Sequence, residues 1–288
     1  MIDPPRYLTT KEVADLLRVK ERKVYELAAA GEIPHRRITG KLLFPASEIK
    51  TWIEGDDRET AAERPPVLTG SHDPLLDWAV RESGSSLATL WNGSLRGLDV
   101  FASGDAAASG LHLPEPDGWN LRSVAAHGLS HCVLVSWAVR SRGLLLAQDQ
   151  LGSIRSFADL RGKRIALRQP GAGAAALFEL MLADAGMTSA DIRMAPGLAR
   201  TESDAAAVVS SGEADAALGI GAMARRFHLG FVPLLDEHFD LLIDRRAYFT
   251  EPMQRLLSFV RGDAFRTRAQ AMGGYDVTGI GEVRWLSP

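Results

Sequence analysis

One cysteine, Cys132, is all the thiol chemistry available to this 288-residue chain. It excludes an internal disulfide framework and fits a reducing compartment. Aromatic residues are sparse at 7%, and no apolar run approaches the roughly 20 residues that a membrane span needs. The opening Met1-Ile-Asp-Pro-Pro-Arg6 lacks the basic and apolar regions of a secretion signal, so a cytoplasmic location without a membrane partner is expected. The histidines and the cysteine nowhere take metal-ligand spacing, and no nucleophile–base pair or complete nucleotide motif stands out. Catalytic residues, metal ligands and cofactors are therefore expected to be absent. Excess charge of one sign is also scarce. The net charge is −3, and residues 1–55 carry ten Lys/Arg against eight Asp/Glu, a net +2 that leaves −5 on the rest. So small a basic bias does not by itself establish nucleic-acid binding.

What is present is an ordinary globular composition, 46% hydrophobic and 24% charged. The length suits two domains of about 100–200 residues each. Thr9 or Thr10, with Glu12 close behind, signals a helix start. Val13, Ala14, Leu16 and Leu17 give that helix an apolar face. After a turn at 18–20, a second helix spans 21–30 with Val24 and Leu27 inward and Arg22, Lys23, Tyr25 and Glu26 outward. Two short helices about a tight turn form the helix-turn-helix pattern, whose second helix enters the major groove. A hairpin over 33–44 turns at Thr39-Gly40, and a helix over 47–53 packs back through Ile49, Trp52 and Ile53.

Residues 7–53 resemble the excisionase-type winged helix-turn-helix, related to the MerR-type DNA-binding domain. The match is carried by Tyr7-Leu-Thr-Thr-Lys-Glu-Val-Ala-Asp-Leu-Leu17, Val24-Tyr25, Gly31-Glu-Ile-Pro34, Arg36-Arg37 and Phe44-Pro45. The resemblance implies double-stranded DNA as partner. Arg22, Lys23 and Tyr25 would lie at the groove, and Arg36, Arg37 and Lys41 on the wing against phosphates or the minor groove. The plainer alternative is a solvated helix face beside an edge hairpin kept soluble by charge. Residues 56–66, charged and ending in Pro65-Pro66, read as a linker between a DNA-binding domain at 1–55 and a second domain at 67–288.

From Val67 strands and helices alternate, which argues a parallel-rich α/β fold. Strands are expected at 67–69, 86–90, 104–112, 132–139, 143–147, 163–167, 214–220, 231–235 and 239–243. Helices are expected at 74–81, 95–103, 174–185, 202–210, 222–227 and 251–261. Two strand-to-helix turns carry the chemistry, Gly70-Ser-His-Asp73 and Arg168-Gln-Pro-Gly-Ala-Gly173. Such turns leave amide N–H groups unpaired at the positive end of a helix dipole, which suits an anion.

This second region resembles the type II periplasmic-binding-protein-like domain in its cytosolic form, a domain that also follows the catalytic part of some molybdopterin-biosynthesis proteins. The motifs are Gly70-Ser-His-Asp73, Gly93-Ser94, Gly97-Leu98, Gly110-Leu-His112, Asp159-Leu-Arg-Gly162, Arg168-Gln169, Gly171-Ala-Gly173, the stretch 205–220 and Gly230-Phe-Val-Pro233. The resemblance implies two lobes, about 66–140 plus 241–288 and 143–237, joined by crossover strands and closing on a small ligand. The expected fold is thus a two-lobed α/β main domain behind a mostly α winged helix-turn-helix. Related domains commonly carry a hydroxyl residue and an Arg where this chain has Ala174 and Ala175. That departure weakens the case for a large, multiply charged phosphate at that turn.

Candidate ligand-binding residues are Ser71, His72, Asp73, Ser94, His112, Arg168, Gln169, Gly171, Ala172 and Gly173. Plainer readings stand beside them: Ser71, Ser94 and Asp73 as helix caps, His112 as a satisfied core histidine, Arg168 and Gln169 as lobe packing. Donors without a matching cluster of acceptors point to an oxyanion such as molybdate or tungstate, or the anionic part of a molybdopterin-like metabolite. An organic acid is the main rival. The whole reads as a one-component transcription regulator, a homodimer with a small anionic effector. A cofactor-biosynthesis enzyme and a DNA-binding protein with a vestigial sensor are the alternatives.

Overall fold

The computed structural model describes residues 7–17, 19–38, 40–54 and 63–287. The chain divides into two compact units, Met1–Ala62 and Glu63–Pro288. Arg18 and Thr39 of the expected turns, Gly55, most of the expected linker (56–62) and the side chain of Ile53 lie outside the described residues.

The first unit is built from β1 (Tyr7–Thr9), α1 (Thr10–Leu17), α2 (Glu21–Ala30), β2 (Arg36–Ile38), β3 (Lys41–Pro45) and α3 (Ala46–Glu54). Thr9 starts α1 through a reciprocal cap: Glu12 Oε2 accepts from the Thr9 amide at 2.7 Å and from its hydroxyl at 2.8 Å. Helix α2 ends where Gly31 turns left-handed at φ 71, its amide and that of Glu32 closing on the Ala28 and Leu27 carbonyls. The three strands pair antiparallel in the order β1-β3-β2. Val13, Ala14, Val24, Ala28, Ile33, Phe44 and Ile49 form one buried core, with Trp52 packed against it. Burying each of its larger side chains contributes roughly 1.5–3 kcal/mol, which is how so small a unit holds together.

The second unit runs β4 (Val67–Gly70), α4 (Pro74–Glu82), β5 (Ala88–Trp91), α5 (Ser94–Ala102), β6 (Ala108–Leu111), β7 (Pro114–Glu115), β8 (Gly118–Trp119), α6 (Leu121–Ala126) and β9 (Cys132–Leu146). It continues with β10 (Arg164–Ala166), α7 (Gly173–Asp184), β11 (Arg193–Met194), α8 (Glu202–Ser210), β12 (Ala216–Ile220), α9 (Gly221–Arg226) and β13 (Gly230–Asp244). It closes with α10 (Arg245–Tyr248), α11 (Glu251–Phe259), α12 (Asp263–Met272), β14 (Tyr275–Asp276) and β15 (Val283–Leu286). The main sheet has the order β11-β10-β12-β9-β13-β6-β4-β5, with β14 and β15 on a further edge of β9. Parallel pairs at either end, β5-β4-β6 and β11-β10-β12, mark the two lobes, and the antiparallel pair β9 and β13 passes through both.

Here the structure corrects the sequence reading. The stretches 132–139 and 143–147 are one 15-residue strand, and so are 231–235 and 239–243. The polar runs that read as breaks, Arg140-Ser-Arg142 and Asp236-Glu-His238, face each other in register, Glu237 opposite Arg140 and Asp236 opposite Ser141. Each lobe layers helices on both faces of its sheet. In the first, Leu68, Leu75, Trp137, Phe239 and Leu256 pack on one side and Leu98, Phe101, Leu134 and Leu242 on the other. In the second, Leu144, Ile165, Phe178 and Leu218 oppose Leu145, Ala205, Ala217 and Met223. Neighbouring residues of a strand thus serve opposite cores, as the two-residue period requires. The end of the expected linker behaves as part of this unit, because Arg64 pairs with Asp244 at 3.2 Å and donates to the Ala106 carbonyl at 3.0 Å.

Candidate effector cleft and DNA-facing surface

On the first unit, Arg22, Lys23 and Tyr25 are exposed on α2, and Arg22 forms only a solvated pair with Glu26 at 3.1 Å. The wing residues do not share one face. Arg36 and Lys41 alternate with Arg37 across the hairpin register, which puts Arg37 on the opposite side. Arg36 is tied to Glu48 of α3 at 2.7 Å.

On the second unit, the candidate ligand residues converge where the C-terminal ends of β4, β6 and β10 meet the crossing of β9 and β13. They converge on each other. Ser71 Oγ lies 2.7 Å from His112 Nε2, and His112 Nδ1 lies 2.9 Å from Glu237 Oε2. Glu237 also accepts from Arg140 and, at 3.0 Å, from Arg142 Nη2. Arg140 reaches on to Asp73 at 2.9 Å, while Asp73 caps α4 by accepting from the Leu76 amide at 2.8 Å. Tyr275 and Trp137 donate to the same carboxylate. In the second lobe, Glu202 accepts from Arg142 at 3.0 Å and from Arg168 at 2.7 Å, and Arg168 also donates to the Ala199 and Arg200 carbonyls. Ser71, Asp73, His112, Arg140, Arg142, Glu202 and Glu237 are all fully buried. Three arginines balance three carboxylates, so the cluster is neutral when His112 is.

The electrostatics follow from that burial. Burial alone would raise Glu237, but Arg140 and Arg142 outweigh it and hold the carboxyl well below the usual range. Glu202 feels the same opposition from Arg142 and Arg168 and is held at about 2. Burial lowers His112 against the pull of Glu237, and burial likewise lowers His72. Burial also lowers Arg168, with Glu202 acting against it.

The second glycine turn meets the start of α5 and the end of β6 rather than the Gly70–Asp73 turn. The Leu95 amide donates to the Gly171 carbonyl across the lobes at 3.2 Å, and Ser94 Oγ accepts from the His112 amide at 3.1 Å. A Cβ at Gly173 would stand 2.3 Å from the His112 carbonyl oxygen, so only glycine permits this approach. The Ser71 amide is spent on Gly110 and the Ala172 amide on Gln169. Gln169 is half-buried beside this contact. Asp73, Glu202 and Glu237 supply the matching acceptors that the sequence reading took to be missing. Arg140, Arg142, Glu202 and Glu237 were not singled out from the sequence. For Arg140, Arg142 and Glu237 the available signal was charge in the middle of otherwise apolar strands; Glu202 opens a helix and carried no such signal.

Ser71, His112 and Glu237 stand in the order of a nucleophile–base–acid relay that the sequence did not reveal. The cluster does not equip them for acyl transfer. Glu237 is already engaged by two arginines, which weakens its support for an imidazolium, and Ser71 has no exposed surface for a substrate to reach. Among the described residues no set of His, Cys, Asp and Glu gathers as a metal site, and no helix is long and apolar enough to cross a membrane.

A lobed α/β domain hinged on two crossover strands, with charge buried at the lobe junction, has the architecture of a binding protein. The chain belongs to the PBP superfamily: the model of the PBP superfamily domain matches residues 77–261, and a helix-turn-helix domain matches residues 7–57. Both are binding families rather than catalytic ones. The chain is 25% identical over 300 residues to the uncharacterized protein YvgK of Bacillus subtilis (strain 168), with 96% of each covered. Among solved structures, it is similar to a putative phosphate ABC transporter substrate-binding protein with bound phosphate from Clostridium perfringens. That match has TM-score 0.54 and 10% identity, over 75% of this chain and 98% of the other. PhnD1 from Prochlorococcus marinus (MIT 9301) in complex with methylphosphonate matches with TM-score 0.51 and 12% identity, over 75% and 93%. An H2O2-bound mutant of OxyR from Corynebacterium glutamicum matches with TM-score 0.50 and 10% identity, over 92% and 89%. At these identities the structural likeness concerns the fold.

Proposed function

We propose that this chain is a one-component transcription regulator, a homodimer that binds double-stranded DNA through its N-terminal unit and senses a small anionic molecule between the lobes of its PBP domain. The observation that carries the reading is the fusion itself. An exposed helix face and wing carrying Arg22, Lys23, Arg36, Arg37 and Lys41 stand on one unit, and a two-lobed binding fold with cationic side chains at its lobe junction forms the other. The effector would sit among Ser71, His72, Asp73, Ser94, His112, Arg168, Gln169 and Gly171–Gly173. It would exchange places with internal partners, above all by drawing Arg168 away from Glu202. Molybdate, tungstate or a molybdopterin-like metabolite are the effectors that the donor set suits, since N–H and hydroxyl donors prefer ligands rich in anionic oxygen. Effector binding shifts DNA affinity only by its preference for one lobe arrangement over the other.

The test is selection of duplexes from a random pool, followed by fluorescence anisotropy on an enriched duplex. Molybdate, tungstate, sulfate and phosphate are then titrated in turn. Sequence-selective binding that shifts with one anion supports the reading; no enrichment of any duplex removes it. The rival reading, a sensor domain without an effector, is favoured by the charge-balanced ion cluster. Native mass spectrometry of the purified chain separates the two by the presence or absence of a retained ligand.

A further inference from the structure

Beside the buried ion cluster, a cavity of about 570 Å³ opens between α4 and α12 of the first lobe and the start of α8 and the length of α9 of the second. That volume falls in the range of sites that enclose whole metabolites, about 300–1,000 Å³, and far exceeds a single tetrahedral oxyanion. Its lining is strongly cationic: Arg81 and Arg268 come from the first lobe, Arg225 and Arg226 from the second. The only carboxylate in the lining, Asp77, is taken by Arg81 at 2.9 Å. No ion pair engages Arg225, Arg226 or Arg268 among the described residues. Arg268 lies over the Trp78 ring at 5.4 Å, and Arg226 over Phe227 at 5.8 Å. Gly273 leaves room for Arg225, since a Cβ there would meet its guanidinium at 2.6 Å.

At the inner wall stands His72, only 9% exposed, whose Nδ1 has no hydrogen-bond partner. That nitrogen has no accessible surface, so it does not itself face the cavity. Thr201 and Ser203, at the start of α8, also face the cavity and add the positive end of a nine-residue helix.

We infer that this cavity is the seat of a multiply charged organic anion, one carrying at least two phosphate or carboxylate groups, which bridges the arginines of the two lobes. The inference rests on the sensor reading and sharpens it, by choosing a larger polyanion over a simple oxyanion and by naming residues outside the glycine turns. Without a ligand, like charges on opposite walls repel. With one, each lobe gains charge-assisted hydrogen bonds to the same molecule, and the closed arrangement is favoured.

The experiment is isothermal titration of the full chain with inorganic pyrophosphate and with citrate, with sulfate as the single-anion comparison. At least one of the two polyanions is expected to bind tenfold or more tighter than sulfate. Arg225→Ala combined with Arg226→Ala, and separately Arg268→Ala, should each weaken that binding by about tenfold or more. Arg155→Ala, exposed on the second lobe and outside the cavity, should leave it unchanged. No binding of either polyanion, affinity no better than sulfate, or indifference to the arginine substitutions would overturn the inference. Anisotropy on the selected duplex separates the two readings. Polyanion binding without any change in DNA affinity removes the sensor function and keeps the site; a DNA response to molybdate with no polyanion binding does the reverse.

Discussion

Replacing Glu202 by Gln is the most direct probe of the buried ion cluster. The substitution keeps the shape and removes the charge that Arg168 and Arg142 share at 2.7 and 3.0 Å. Arg142 keeps Glu237, but Arg168 is left with two backbone carbonyls. A carboxyl held at about 2 in the folded chain, against an ordinary 4.5, marks the size of the effect. At 1.36 kcal/mol per pKa unit the charged form contributes on the order of 3 kcal/mol, at the lower end of the ~3–5 kcal/mol for breaking a buried pair. Because the folded value is depressed, the unfolded chain binds the extra proton. The contribution is therefore fully present above about pH 4.5 and fades as pH falls towards 2. Calorimetry of the full chain at pH 7 should show the PBP-domain transition of Glu202→Gln lowered by roughly 6–12 °C, from about 2–4 °C per kcal/mol for a domain of this size. Urea titrations between pH 7 and pH 3 should show the gap between wild type and variant narrowing below pH 4.5. A gap under about 1 kcal/mol at pH 7, or one of the same size at pH 3, would refute this account.

Gly173→Ala places a methyl 2.3 Å from the His112 carbonyl oxygen and should hold the lobes apart. Small-angle scattering would register a larger radius of gyration, and an unchanged profile with unchanged stability would count against the closed contact. Arg36→Ala with Arg37→Ala should weaken DNA binding across sequences and flatten the log–log salt dependence by about one unit for each phosphate no longer neutralised. With Arg36 tied to Glu48, most of that change is expected from Arg37→Ala alone, and an unaltered slope would remove the wing from the interface. Arg22→Ala should cost about 1–3 kcal/mol at one or two base positions; uniform weakening would make it a phosphate contact. Cys132 is buried, and burial raises its thiol above the usual value. A thiol reagent should therefore label it no faster than the domain unfolds, and immediate labelling of the native chain would contradict the buried placement.

The sequence by itself determined the helix-turn-helix. Its second helix is expected at 21–30 and is Glu21–Ala30, because apolar spacing and the Gly31 stop act within a few residues of one another. It determined the strand–helix alternation of the second unit for the same reason, and α8 was read to its observed bounds. Tertiary structure alone decided the crossover strands. Arg140, Arg142 and Glu237 break the apolar pattern of β9 and β13, and local periodicity cannot know that each finds its counter-charge up to 97 residues away. The same holds at the lobe junction. Ser71, His112 and Arg168 were legible as polar groups at strand ends, but which acceptors they meet depends on residues 31–125 positions distant. The arginines around the cavity lie on three separate helices of ordinary surface charge. Only the approach of the two lobes gathers them, because charge acts through space while a sequence records order along the chain.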